Sequence, residues 1–466
     1  MSFLVLFLFF AILWLICKGD SKKRFLAFFA GTLLFPNVCL FIKSPSISPQ
    51  HIILYTFLFI ECFQNRDEFS DGLFNNPLWI PLGLSVGSYI CTALFNGGIF
   101  SIDMYYGVRD IVDTFGYLIA AYIVGKRSDI HEFAKDIFPF IVVCCLFGIM
   151  EGLLNANYPY KIINSAFPSY SGLYDLNTNI SLSQNWRIRT CFTTKHPTAF
   201  GTFLATMFLF YFPYIKKGTI PHFKILLILG LLGINIILCG SRTALFCTII
   251  GIAAYFADRL SLIIKIITAG LILFSFTTIL AVLASNFQSG RGHGSSLDFR
   301  YQQLIFSIVT IQNSPVWGNG NKYASHNIFV ENEAGAMRAE DSSGQDMGGL
   351  ESVVFTLLID RGFVGLFSYY LLLFWIFCLF YSNRNKLSER NDAFIIVIAG
   401  TLFLTLSGSI GNSSAFLFMI LGLQLGNLDR EKELLQVEED SETEPESPST
   451  DLHQNGQEQV ELTTDE

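Results

Sequence analysis

Uncharged apolar runs about as long as a membrane crossing recur along this chain and constrain any fold it can adopt. The clearest are 2–17, 225–240, 266–284 and 362–383. A spanning helix needs about 20 mostly apolar residues, within a range of about 17–25, and these runs reach or approach that length. Strands of a membrane β-barrel would be shorter and would alternate in hydropathy. Charged residues make up only 15% of the 466 positions, whereas an ordinary soluble domain carries about a quarter. The 47 phenylalanines supply surface suited to lipid. The pattern predicts an all-α polytopic membrane protein with about 12–13 transmembrane helices. The expected segments are 2–17, 25–42, 51–64, 77–95, 109–125, 137–153, 198–215, 225–240, 243–257, 266–284, 362–383, 393–407 and 414–427. The first has no basic residue before it and no small-residue cleavage site, so it is expected to stay as a helix and not to be removed as a signal peptide.

The net charge of −8 is unevenly spread. Residues 431–466 hold 13 acids and one base, Lys432, a balance of −12 that leaves +4 on the other 430 residues. That tail lacks the apolar content to fold and is expected to be solvated. Three regions follow: an N-terminal transmembrane scaffold at 1–153, a catalytic membrane region at 154–427 that includes the polar outer loops 154–197 and 285–352, and an acidic, disordered cytoplasmic tail at 428–466. Of the ten cysteines, nine fall in apolar segments and only Cys191 in a predicted outer loop. None has the spacing of a metal site, so they are expected to act as small apolar side chains.

Lysine and arginine in short loops mark the cytoplasmic side. The clusters are Lys18, Lys22, Lys23 and Arg24; Lys126, Arg127 and Lys135; Lys216, Lys217 and Lys224; Arg259 and Lys265; and Arg384, Lys386 and Arg390. Alternating spans put all of them on one face. Arg242 and both long loops then share the other face.

The candidate site residues are on that outer face. Arg242 stands between the runs 225–240 and 243–257. An interfacial arginine reaching for headgroups is one explanation. The other is a clamp for a lipid-linked diphosphate, because guanidinium forks onto phosphate oxygens and never loses its charge. The loop before segment 198–215 reads NWRIRTCFTTKHPTAFG, with Arg187, Arg189, Lys195 and His196 and no acid among them. Solvated loops usually mix signs, and this one favours an anion. Pro197 suits the first turn of the following helix. In loop 285–352, residues 297–312 have helical periodicity, with Tyr301, Leu304, Ile305 and Ile308 on one face and Arg300 in the first turn. The turn Pro315-Val316-Trp317-Gly318-Asn319-Gly320 follows, and His326 and Glu351 lie beyond it. Tyr301, Trp317 and Tyr323 suit sugar stacking, though packing is the commoner role. No metal-spaced cluster is present.

Four segments in order, KHPTAFG at 195–201, GSRTAL at 240–245, DFRYQQ at 298–303 leading to PVWGNG at 315–320, and ESVVFTLLIDRGFVGL at 351–366, resemble the O-antigen ligase and O-antigen polymerase superfamily of bacterial membranes. The resemblance spans roughly 180–425. It implies a helical bundle of the integral-membrane glycosyltransferase type with a large periplasmic loop, embedded in the cytoplasmic (inner) membrane with its active site facing the periplasm. It implies en bloc transfer of a glycan from an undecaprenyl-diphosphate donor to a sugar hydroxyl, with Arg242 and Arg300 on the diphosphate. It calls for no cofactor and no metal. The expected partners are the lipid-linked donor, the acceptor glycan, the membrane, and a flippase or chain-length regulator; nucleic acid is not among them.

Ligases of the family place a histidine about eleven residues before a Gly-x-x-Gly and use it as the base. Here that count from Gly362 lands on Glu351, while His326 lies 36 residues before Gly362. Glu351 and His326 are therefore both candidates, with Glu351 slightly favoured because its flanking pattern is unbroken. The departure favours a polymerase over a ligase acting on lipid A core. The competing class is a transporter or flippase for lipid-linked glycan. It would rest on ionisable groups within the spans, for which Glu61, Asp113 and Glu151 are the candidates.

Overall fold

The computed structural model describes residues 2–35, 41–42, 47–167, 183–184, 187–194, 196–257, 296–324, 330–331, 337–338, 352–385, 392–407 and 414–443. Its helices are α1 (Ser2–Lys18), α2 (Ser21–Leu34), α3 (Pro49–Gln64), α4 (Arg66–Phe74), α5 (Trp79–Asn96), α6 (Ile102–Arg127), α7 (Ile130–Leu154), α8 (Tyr158–Asn164), α9 (Pro197–Tyr211), α10 (Tyr214–Lys217), α11 (His222–Cys239), α12 (Arg242–Ala257), α13 (Ser296–Ile311), α14 (Val353–Asn383), α15 (Phe394–Ser407) and α16 (Ala415–Thr443). Two short antiparallel ladders accompany them: β1 (Ser183–Gln184) with β2 (Arg187–Ile188), and β3 (Val330–Glu331) with β4 (Met337–Arg338). The fold is an all-α polytopic membrane protein. Among the described residues, four helical stretches are long and apolar enough to cross a membrane: Ile130–Leu154, Pro197–Lys217, His222–Cys239 and Val353–Asn383.

Every expected span except 266–284, which lies outside the described residues, overlaps a helix. The ends differ where charge misleads. Helix α6 starts at Ile102, seven residues before the expected 109, because Ser101 caps it by accepting the Met104 amide. Helix α14 starts at Val353, not 362, and so takes in Asp360 and Arg361. Helix α12 starts on Arg242 itself. The last helix continues past 427 to Thr443, so residues 428–443 of the tail expected to be disordered are helical. Local polar ties support that extension: Tyr122 donates to Asp429, Lys126 pairs with Glu433 at 3.0 Å, and Asn427 donates to Glu431.

The core is built by close helix packing. Helix α16 lies along α6, where a side chain at Gly422 or Gly426 would strike the carbonyl oxygens of Leu118 and Tyr122. Small residues permit this approach of backbones in membrane bundles. Helix α14 packs on α5 and α15, and α11 packs on α7 and α9.

The first two basic clusters meet at one end of the bundle. Arg24 and Arg127 both pair with the fully buried Glu61, at 2.7 and 2.9 Å. Lys22 bridges to Glu132 and Asp136 of α7. Arg189, His196 and Arg242 lie toward the opposite end, by the C-termini of α7 and α11.

Candidate functional site

Two polar assemblies form at that opposite end. The first gathers around the C-terminus of α11. Glu151, 1% exposed near the end of α7, accepts the amides of Cys191 at 3.2 Å and Phe192 at 2.8 Å. Asn157 donates to the Phe192 carbonyl and to the Cys191 sulfur, and Thr193 donates to the Leu33 carbonyl. These ties fix residues 191–193. From the same segment, Arg189 Nε donates to the Cys239 carbonyl at 3.1 Å, and the Thr190 amide to the Leu238 carbonyl at 3.4 Å. Carbonyls at a helix C-terminus lack intrahelical donors, so Arg189 satisfies one of them.

The chain then turns at Gly240, whose φ of 62° is left-handed. Ser241 accepts the Ala244 amide, and α12 begins with Arg242, exposed to solvent. An arginine at the first position of a helix has the wrong sign for the macrodipole, at a cost of about 0.3–1 kcal/mol. Helix stability therefore does not explain it. Among the described residues, neither Arg189 nor Arg242 pairs with a carboxylate.

The segment KHPTAFG packs on GSRTAL. A side chain at Gly201 would come within 2.8 Å of the Ala244 Cβ and 3.0 Å of the Ser241 Cβ, and the Cys239 thiol donates to the Pro197 carbonyl at 2.7 Å. His196 caps α9 through Nδ1, which accepts the Thr198 amide at 3.2 Å. The structure thus brings Arg189, His196 and Arg242 to one end of the bundle. Arg187 lies in β2, and Arg300 is the fifth residue of α13, past the first turn where it was expected. His326 and Glu351 lie outside the described residues.

The second assembly joins the turn 315–324 to α14. At Gly362 the helix breaks, with φ 65° and ψ −162°. The freed amides of Phe363 and Val364 donate to the carbonyls of Pro315 and Val316, at 2.9 and 3.3 Å. In return the amides of Asn319 and Gly320 donate to the carbonyls of Ile359 and Asp360, at 3.0 and 3.1 Å. A side chain at Gly362 would collide with the Pro315 and Val316 carbonyls, and one at Gly318 with the backbone of Asp360 and Arg361. Both glycines are required by this interlock, which explains PVWGNG and DRG as two halves of one joint.

Charged groups surround the joint. The Asp360 carboxylate accepts the Ala324 amide at 2.8 Å. Arg361, 3% exposed, has its guanidinium 3.6 Å from the centre of the Tyr89 ring, and its Nη1 has no hydrogen-bond partner among the described residues. A desolvated cation on an aromatic face gains from the ring quadrupole. Lys322 pairs with Asp110 at 2.9 Å. Asp113 meets His51 at 3.1 Å, Arg109 at 3.4 Å and Tyr55 at 3.1 Å. Half-buried Asp103 sits beside Asn321, and desolvation pushes its carboxyl pKa up. Trp317 stacks on Phe95 at 4.9 Å, so its ring is packed against protein.

Sequence reasoning missed Asp360, Arg361, Lys322, Asp110 and His51, because residues 1–150 offered no nameable site and 360–361 stand just before the apolar run 362–383. An Asp-Arg-Gly triplet inside an apolar run was the available signal. Glu61, Asp113 and Glu151, the acids a transporter would use, are all held by fixed partners. A small cavity of about 50 Å³ lies at the bundle's other end, beside Tyr214, Lys217, Gln424 and Glu431; it borders neither assembly.

Residues 225–370 match the family model described as O-Antigen ligase. The match takes in GSRTAL, DFRYQQ, PVWGNG and ESVVFTLLIDRGFVGL and leaves KHPTAFG outside it. No curated protein matches the chain.

Proposed function

We propose that this chain, a bacterial membrane protein carrying an O-antigen ligase-family domain at residues 225–370, is a polymerase that joins oligosaccharide repeat units carried on undecaprenyl diphosphate. Its coarser role is that of a glycosyltransferase-like enzyme of surface polysaccharide synthesis. The observation that carries the proposal is the convergence of Arg189 and Arg242 on the α11–α12 corner without carboxylate partners among the described residues. Two guanidinium groups, one misplaced for its helix dipole, make a field suited to a diphosphate.

In the reaction proposed, a hydroxyl of the acceptor sugar attacks the anomeric carbon of the donor glycan. The new glycosidic C–O bond forms as the bond to the diphosphate breaks, and undecaprenyl diphosphate leaves. Negative charge grows on the departing oxygen, where Arg242, Arg189 and Arg300 stabilise it. The acceptor proton passes to Glu351 or His326. The arginines supply the counter-charge, so the proposed step calls for no metal. Arg187 extends the cationic rim, and His196, whose Nδ1 accepts the Thr198 amide, adds a neutral Nε2–H donor beside it. The site faces the periplasm, opposite the end where the basic clusters meet.

The test uses purified protein in lipid nanodiscs with an undecaprenyl-diphosphate-linked repeat unit from the source strain. A ladder of products with release of undecaprenyl diphosphate, absent for Arg242→Ala, is the expected result. Transfer only after addition of lipid A core would make the protein a ligase. Movement of the lipid-linked glycan across the bilayer with no new glycosidic bond would overturn the enzymatic reading.

A further inference from the structure

We infer that Arg361 and the hydroxyls of Tyr89, Thr114 and Tyr369 form a buried site for a small inorganic anion of the chloride class, in the core between α5, α6 and α14. The site goes beyond the glycosyltransferase reading and does not depend on it. It is built from other helices than the α11–α12 corner.

The sequence directs the arginine inward. Arg361 stands just before the break at Gly362, and its stem lies across Gly365. A Cβ at Gly365 would come within 2.3 Å of the Arg361 Cβ and 3.5 Å of its Cγ and Cδ. Glycine at 365 therefore leaves the space that the stem occupies. Tyr369 follows Gly365 by four residues, on the same face of α14. Helix α5 is tied to this face where Ser85 donates to the Ser368 carbonyl at 3.0 Å. One turn further along α5, the Tyr89 ring covers one side of the guanidinium at 3.6 Å. The Tyr89 hydroxyl sits beside the Thr114 hydroxyl of α6 and the guanidinium, with a hydrogen bond to neither. The surrounding wall is aromatic. Phe115 packs on Tyr89 at 6.2 Å, and Phe418 packs on Tyr369 at 6.4 Å.

The unmet chemistry is specific. Arg361 Nη1 and the hydroxyls of Tyr89, Thr114 and Tyr369 all lack hydrogen-bond partners among the described residues. These side chains are 0–3% exposed. The Tyr89 ring face attracts the cation, but the guanidinium N–H groups lie in its own plane and point elsewhere. The nearby carboxylates are engaged: Asp360 takes the Ala324 amide and Asp110 takes Lys322. A buried charge without a counter-charge is costly. Arginine can only donate, and each hydroxyl can donate as well. One negatively charged acceptor among them satisfies the set. Water brings acceptor capacity and no charge. The near-complete enclosure selects a monatomic ion over phosphate or a glycan carboxylate.

The experiment measures the melting midpoint of the full chain in nanodiscs, with chloride replaced stepwise by gluconate at a constant ionic strength of about 0.15 M. Wild type should melt about 2–4 °C higher in chloride, because a ligand that binds only the folded state stabilises it. Bromide should act as chloride does. Arg361→Met, which occupies much of the same space without charge, should melt alike in both salts. Equal wild-type midpoints in chloride and gluconate overturn the inference and leave water as the occupant. The same chloride gain in Arg361→Met also overturns it, as a general salt effect. If Arg361→Met does not yield monodisperse protein, Tyr369→Phe and Thr114→Val each remove one hydroxyl. Each should raise the chloride concentration at half of the gain by about 3–10-fold; an unchanged concentration in both overturns the inference. A structure determined in bromide should show anomalous density between Arg361 and the three hydroxyls, and its absence there would contradict the site.

Discussion

The α11–α12 corner and the α14 joint lie at the same end of the bundle and handle charge in opposite ways. At the corner the cations Arg189 and Arg242 have no carboxylate partner among the described residues. At the joint, Lys322 has Asp110, His51 and Arg109 share Asp113, and Asp360 is bonded to a backbone amide; Arg361 is the exception, a buried cation held on the Tyr89 ring. Charges of one sign left without protein partners leave room for a ligand of the other sign. Charges matched within the fold serve geometry instead. On the proposed reading the corner binds substrate and the joint holds backbone geometry, and the difference yields tests of different sizes.

The largest effect expected is at the joint. Gly362→Ala would force a Cβ into the Pro315 and Val316 carbonyls at a positive φ. Overpacking costs about 1–3 kcal/mol, and strain at such a backbone adds about 1–3 kcal/mol. Poor recovery of monodisperse protein and a lowered melting midpoint should follow. Normal melting would show that the two motifs do not depend on the interlock.

Next comes the corner itself. Arg242→Ala should reduce kcat/KM about 10²–10³-fold, the range for removing one preorganised stabiliser of departing charge. Its stability should change by less than about 0.5 kcal/mol, as for other exposed sites. A large loss of stability with little loss of rate would reverse the assignment.

Much of the fold was legible because hydropathy is strongest where helices face lipid, and each run that lies in the described residues overlaps a helix. Helix starts were not legible where charge enters a helix. Residues 102–108 include Asp103 and Arg109 follows them, so the N-terminal turns of α6 look like a loop. Asp360 and Arg361 look like the edge of a span, yet both are buried inside α14. Arg189 and Arg242 were legible because one-sign charge near an apolar run is unusual. The joint was not, since its partners come from α3, α5 and α6, 200 or more residues away. Short helices such as α4 and α8 have polar sequences and no apolar run to announce them.

Glu151→Gln lies between the two regions in expected size. The amide would turn a donor toward the Cys191 or Phe192 amide and leave an N–H unpaired, at a cost of about 1–3 kcal/mol. Loosening of 191–193 should then weaken donor binding through Arg189, seen as a raised donor KM with a smaller change in kcat. An unchanged KM would separate that clamp from the site.

The smallest effect expected is Lys322→Met. Its pair with Asp110 is partly solvated, with side chains 25% and 22% exposed, and such pairs contribute about 0–1 kcal/mol. Donor affinity should not change. A large loss of donor binding would move part of the diphosphate site from the corner to the joint.

The most direct measurement is the affinity of undecaprenyl diphosphate for the protein in nanodiscs, taken for wild type, Arg189→Ala, Arg242→Ala and Lys322→Met at two salt concentrations. The account predicts weaker binding in both arginine variants, about tenfold for each 1.4 kcal/mol of binding free energy that the missing guanidinium supplied. It also predicts a shallower salt dependence for them and wild-type behaviour for Lys322→Met. Equal affinity in all four proteins would contradict the assignment of the diphosphate to the α11–α12 corner.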